Sequence, residues 1–149
     1  MYDRILVAID GSALAKKGLE QGLALARARG AEVTILTASD PPMTMGVDAA
    51  GFAVTEFALA EELEKEAQRQ SNAVLAEAAA VAQKDGVPHK TVYVPRTRPA
   101  DAIIDYAARS GIDLIVMASH GRRGVQRVLL GSQTNEVLTR SHIPVLVVR

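Results

Sequence analysis

The sequence contains no cysteine and no tryptophan, and only two phenylalanines and three tyrosines. The lack of cysteine excludes disulfides, thiolate metal sites and cysteine nucleophiles together. The shortage of aromatic side chains argues against a surface that binds single-stranded nucleic acid by base stacking. Neither sign of charge is in excess: 17 Lys plus Arg balance 17 Asp plus Glu, so no net field draws the chain to nucleic acid. No apolar run reaches the roughly 18 residues that a membrane-spanning helix requires. The opening MYDRILVAID puts Asp3 and Arg4 before a short strand-like run and has no signal-peptide pattern. A cytoplasmic protein with no membrane and no nucleic-acid partner is the expectation. Several chemical signatures are missing too. There is no GxxxxGK[ST] loop, no GxGxxG after the first strand, no HExxH pair and no GxSxG elbow.

What is present is apolar and regularly spaced. Of 149 residues, 48% are hydrophobic, enough for the core of one domain, 1–149, and too few for two comfortable ones. Ile5 to Ile9 is a continuous apolar run, the mark of a strand covered on both faces. Asp10-Gly11-Ser12 stops it, and Ser12 is placed to cap a helix over 13–29 that Gly30 ends. Leu14, Leu19, Leu23, Leu25 and Ala26 form its apolar stripe, and Gly18 and Gly22 suit close packing on a sheet. A second strand follows at Val33–Ala38, completing a β-α-β unit with a right-handed crossover.

Residues 39–52, with Pro41, Pro42, Gly46 and Gly51, read as a loop beside the end of the second strand. A long helix is expected from Thr55 to Lys84, with Ala60, Leu63, Ala67, Val74, Ala78 and Val81 facing inward. Its run of Glu61, Glu62, Glu64, Lys65 and Glu66 reads as a solvated face. A third strand lies within 89–95, and Arg98-Pro99-Ala100 leads into a helical segment over 102–109, where Pro99 fits the first turn. Leu114–Met117 has the length and branching of a buried parallel strand. A short helix after Gly131-Ser132 leads to a final strand, Val145–Val148. Strands and helices alternate throughout, which makes this an α/β chain with a parallel sheet.

In such sheets ligands bind beyond the carboxyl ends of strands, where the strand order reverses. Two ends carry unusual residues: Asp10-Gly11-Ser12 after the first strand, and Ala118-Ser119-His120-Gly121-Arg122-Arg123-Gly124 after the fourth. Glycines there let backbone N–H groups approach an anion, and the helix opening at Ser132 adds its dipole. Asp10 suits either a helix-start carboxylate or an acceptor for ribose hydroxyls. His120 suits a loop-ordering or ligand contact better than a catalytic base, because no partner or reacting group is evident. Arg122 and Arg123 are phosphate neutralisers or exposed loop charges. Ser132 and Thr134 can cap the helix and donate hydroxyls to phosphate with one geometry.

The order SHG, nine residues, then GS, with a short helix and a terminal PVLVV strand, resembles the universal stress protein family. The opening ILVAIDGS and the stretch GIDLIVMASHGRRG are similar to it as well, and the likeness covers essentially the whole chain. Its nucleotide-binding branch has Gly-x-x-Gly-nine residues-Gly-Ser/Thr. Gly121, Gly131 and Ser132 take the later positions, whereas the first glycine is replaced by Ala118, whose methyl stands where backbone and ligand run close. The resemblance implies an open five-stranded parallel sheet of order 3-2-1-4-5, Rossmann-like and adenine nucleotide alpha hydrolase-like, with helices on both faces. It implies ATP, with or without Mg2+, as ligand. Ala8 and Ile9 would line the base, Ala38 would be the other wall, and Asp10 would meet the ribose or adenine. Met117, Ala118 and His120 would border ribose and phosphates; Gly121, Gly131, Ser132, Gln133 and Thr134 would hold the phosphates. It also implies a homodimer through Val145–Val148, an apolar edge otherwise left open. The function expected is that of a nucleotide-dependent stress-response switch or binding module with at most slow ATP hydrolysis and a protein partner yet to be identified. The alternatives are a partner-activated ATPase or phosphotransferase, and a member acting only through dimer and protein contacts.

Overall fold

The computed structural model describes residues 1–42, 52–121 and 130–149, and of residues 52–57 the backbone alone. Five strands, β1 (Arg4–Ala8), β2 (Glu32–Ala38), β3 (His89–Val94), β4 (Leu114–Ala118) and β5 (Val145–Val148), form one parallel sheet. Its order is β3-β2-β1-β4-β5, as the resemblance implied. Four helices alternate with them: α1 (Ala13–Arg29), α2 (Phe52–Lys84), α3 (Pro99–Arg109) and α4 (Ser132–Arg140).

The sheet is covered on both faces because its inner strands are apolar throughout Ile5–Ala8 of β1 and Leu114–Ala118 of β4. In β1, Ile5 and Val7 join one core with Leu19, Leu23 and Ala26 of α1 and with Leu75, Ala78 and Ala82 of α2. The alternate residue Leu6 joins a second core with Ile103 and Ala107 of α3 and Val137 of α4. A continuous hydrophobic run is what a strand needs when neither face is wet. The register pairs Val7 with Ile35 on one side and with Val116 on the other, so β1 is the central strand.

Local chemistry sets the bounds of α1. The Ser12 hydroxyl accepts the N–H of Ala15 at 3.1 Å, and Gly30 ends the helix in the left-handed region at φ 71°. Of the two glycines of α1, Gly22 allows the close approach expected of both, whereas a side chain at Gly18 would meet only ordinary contacts. A Cβ added at Gly22 would stand 2.6 Å from Cγ2 of Val7, and one at Gly18 would reach backbone atoms of Met117 and Ala118 at 3.8–3.9 Å.

Helix α2 departs from the sequence expectation. It begins at Phe52 rather than Thr55, and its inner stripe is not continuous: Leu63 is 50% exposed and its neighbour Leu59 is 59% exposed. Among its described side chains the buried ones are Ser71, Leu75, Ala78 and Ala82, with Val74 and Val81 partly covered. Length explains this. At 1.5 Å per residue this helix runs roughly 50 Å, whereas strands of this sheet span roughly 13–24 Å. Only its later half can lie on the sheet. The earlier half passes the carboxyl end of β3, where Glu64 pairs with Arg96. That hydrogen bond, and then the Glu64 charge, raise the Arg96 guanidinium above its ordinary pKa. Helix α3 also starts earlier than expected, at Pro99, whose fixed φ and missing N–H suit the first turn.

Candidate functional site

The strand order reverses between β1 and β4, and the carboxyl ends of these two strands are therefore neighbours. Asp10 and Gly121 meet there. A Cβ built on Gly121 would fall inside 3.0 Å of Oδ2 of Asp10, so the carboxylate lies directly on the glycine Cα. The other carboxylate oxygen, Oδ1, accepts the N–H of Ser12 at 2.9 Å. Gly11, at φ 82°, makes the turn that brings Ser12 back to it. Asp10 is thus a helix-start carboxylate, and it faces the glycine turn.

Beyond β4 the chain doubles back so that residues 119–121 lie against the start of α4. The N–H of Gly131 donates to the Ser119 carbonyl at 2.8 Å, and the N–H of Ser119 donates to Val148 at 2.8 Å. A Cβ on Gly131 would stand 3.2 Å from the His120 Cα and 3.4 Å from the Ser119 carbonyl oxygen. The glycine is thus required by a close approach, not by its backbone angles, which at φ −58° any residue adopts. Ser119, buried at 7%, is the hub that sequence reading missed. Its hydroxyl also lies 3.1 Å from Nδ1 of His120 and fixes that ring.

Helix α4 opens onto this turn. Gly131 at its N-cap supplies no side-chain cap, and the first helical bond runs from the Asn135 N–H to the Gly131 carbonyl at 2.9 Å. The amides of Ser132, Gln133 and Thr134 precede that bond and have no acceptor within the helix. They and the positive end of the helix dipole suit an anion. Ser132 is exposed. Thr134 differs from the sequence expectation: its hydroxyl is buried and donates its one proton to the Ala118 carbonyl at 2.9 Å. That proton ties α4 to β4 and is not available to a phosphate; what Thr134 can offer is its amide. The Gln133 side chain is likewise engaged, its Oε1 accepting the N–H of Ala100 at 2.9 Å.

The apolar residues divide by face. Met117, Ala8 and Ala38 belong to the core under α3 and α4, so these three expected wall residues share one side of the sheet. Ile9 does not join them. Its side chain lies under α1 and α2, at a cleft of about 90 Å³ that Ala15, Leu19, Val74 and Ala78 line. Strand alternation turns a side chain to the opposite face at each step, and the N–H of Ile9 is already given to the Leu36 carbonyl at 2.9 Å. By the same alternation the Ala118 methyl shares the face of Val116, opposite Met117. Arg122, Arg123 and Gly124, and residues 43–51 of the expected loop, lie outside the described residues. Among the described residues no three His, Asp or Glu side chains converge as metal ligands, and no helix is long and apolar enough to cross a membrane.

The sequence model of the Universal stress protein family matches residues 1–149. Universal stress protein YxiE from Bacillus subtilis is 32% identical over 149 residues, covering 100% of both chains. Universal stress protein MJ0577 from Methanocaldococcus jannaschii is 31% identical over 160 residues, covering 100% of this chain and 96% of the relative. Its solved structure superposes with a TM-score of 0.82 over 99% of this chain and 96% of that one. A universal stress protein solved in complex with cAMP is 26% identical, with a TM-score of 0.69 over 99% and 97% of the two chains.

Proposed function

The chain belongs to the universal stress protein family, and from that premise we propose that it holds an adenine nucleotide, ATP first among them, between the carboxyl ends of β1 and β4. It works as a single cytoplasmic domain, a nucleotide-dependent stress-response switch or binding module. One observation carries the reading. Two glycines, Gly121 and Gly131, leave no Cβ between Asp10, the Ser119–His120 turn and the uncapped first turn of α4. Such a cradle suits a phosphate-bearing ligand that must come close to backbone. The family member solved with cAMP adds support, since that ligand unites adenine, ribose and phosphate.

In this reading Ala8, Ala38 and Met117 supply the apolar wall for the base, and Asp10 accepts hydrogen bonds from ribose hydroxyls. His120 borders ribose and phosphate. The amides of Gly121, Ser132, Gln133 and Thr134 hold the phosphate oxygens, as the hydroxyl of Ser132 does, while Gly131, whose N–H is given to Ser119, leaves the space beside them. Mg2+, where it accompanies ATP, is a hard cation that takes oxygen ligands, chiefly from phosphate and water. The site is built for holding more than for turnover. Nδ1 of His120 is engaged with a serine hydroxyl, whereas the orienting group of a catalytic base is commonly a carboxylate. The outer strand β5, with Leu146 at 40% exposure, pairs with a second copy of the chain in a homodimer.

Thermal unfolding with ATP, AMP and cAMP, each at millimolar concentration, tests the reading. A ligand at 100 times its Kd stabilises by about 2.7 kcal/mol, which is readily seen as a raised Tm. Gly131→Val should abolish the shift and leave the far-UV CD spectrum unchanged. No shift with any of the three nucleotides in the unsubstituted protein would sink the proposal.

A further inference from the structure

Helix α3 lacks a cap of its own. Arg98 at its N-cap makes no side-chain capping bond, and Pro99 has no N–H to offer. The first orphan amide, that of Ala100, is satisfied from another helix, by Oε1 of Gln133 at 2.9 Å. Two further ties run along the same stripe of α4. Glu136 pairs with Arg98, and Arg140 donates to Asp101 at 2.6 Å and to Glu136 at 3.2 Å. Residues 133, 136 and 140 follow the i, i+3, i+7 spacing that puts side chains on one helix face. All three therefore grip the cap and first turn of α3. The ion pairs are surface contacts, with Arg140 46% exposed, and such pairs contribute little. The Gln133 bond is the part-buried one, and it springs from the first turn of α4 itself.

We propose that Gln133 is a positioning residue: by capping α3 from α4, it fixes the pose of the α4 amides and so governs how strongly the crevice holds the phosphate part of a nucleotide. The proposal rests on the nucleotide reading above. Its side chain faces α3 and its oxygen is already engaged, so it acts on the ligand through the backbone of its own turn. The adenine wall of Ala8, Ala38 and Met117 belongs to the sheet and is independent of this grip. Loss of the cap should weaken nucleotides in proportion to what α4 holds and leave the nucleoside alone.

The test compares adenosine with AMP by titration calorimetry on the full chain and on Gln133→Met. Methionine keeps the length and helix propensity of glutamine and removes the acceptor. The ratio of AMP to adenosine affinity should fall about fivefold, equivalent to about 1 kcal/mol, the size of one ordinary hydrogen bond. Adenosine affinity should stay within about twofold, a change below 0.5 kcal/mol. Equal weakening of both ligands would mean that Gln133 serves only the fold, and no weakening of either that α4 does not depend on the cap; each overturns the proposal. If Gln133→Met fails to fold, Gln133→Asn takes its place: its amide is one methylene too short to reach the Ala100 N–H, and the ratio should again fall about fivefold, with an unchanged ratio overturning the proposal. An unsubstituted protein that binds neither ligand refutes the nucleotide reading instead, which is a different outcome.

Discussion

Replacing Gly121 by alanine tests the contact at the centre of the site. The backbone of Gly121 is outside the left-handed region, so alanine meets no conformational penalty there. The steric one remains: the new methyl would fall inside 3.0 Å of Oδ2 and 3.5 Å from Cγ of Asp10. The carboxylate can give way only by turning, and turning breaks the 2.9 Å bond from the Ser12 N–H to Oδ1. A lost hydrogen bond to a charged acceptor costs about 1.5 kcal/mol, and an off-rotamer side chain adds about 0.5–1.5 kcal/mol. Gly121→Ala should therefore lower stability by about 2 kcal/mol, read as a smaller urea midpoint at constant m-value. Asp10→Ala loses the Ser12 bond and should lower it by at least about 1.5 kcal/mol. With both changes the clash has no partner, so the double variant should be no less stable than Asp10→Ala, a coupling of about 2 kcal/mol. Additivity to within about 0.5 kcal/mol would refute the contact as the cause.

Two further substitutions probe what holds the site in place. Thr134→Val removes the hydroxyl proton from the Ala118 carbonyl with little change of shape; stability should fall by about 1–2 kcal/mol, and Thr134→Ser should recover most of it, by the same denaturation. Gly22→Ala puts a methyl 2.6 Å from Cγ2 of the fully buried Val7, so α1 must lift from the sheet; a loss of about 1–3 kcal/mol is expected, relieved when Val7→Ala is combined with it.

The elements read best from sequence were those fixed by neighbours along the chain. Ser12 and Gly30 bounded α1 because a cap bonds within its own turn. The apolar runs at 5–9 and 114–117 marked the two central strands because a strand covered on both faces has no polar position to hide. Periodicity failed at Leu63, since a helix pattern reports an apolar stripe without saying how far the surface beneath it extends. It also could not place Ile9, because one residue of shift at a strand end exchanges the two faces. In the site, the glycine positions were legible as spacing, and Asp10 as the residue opposite. The side-chain bonds were not. Thr134 and Gln133 have the chemistry of phosphate donors, and only the packing of α4 on β4 and α3 directs that chemistry inward.

The pairing of β1 with β4 has a consequence for how the molecule is made. The amide of Asp3 donates to the Asp113 carboxylate at 2.8 Å across 110 residues of sequence. The central strand thus leaves the ribosome about 110 residues before the partner for one of its edges. At about 5–20 residues per second that edge waits roughly 5–20 seconds. Through that interval the apolar run from Ile5 to Val7 is half-dressed, and shielding it is a task for chaperones or for the ribosome surface. Asp10 exists early as well, but it has nothing to face until residue 121 arrives. In the proposed reading, a ligand between them would recognise only chains in which both strands are paired and, by mass action, would draw them into the folded form.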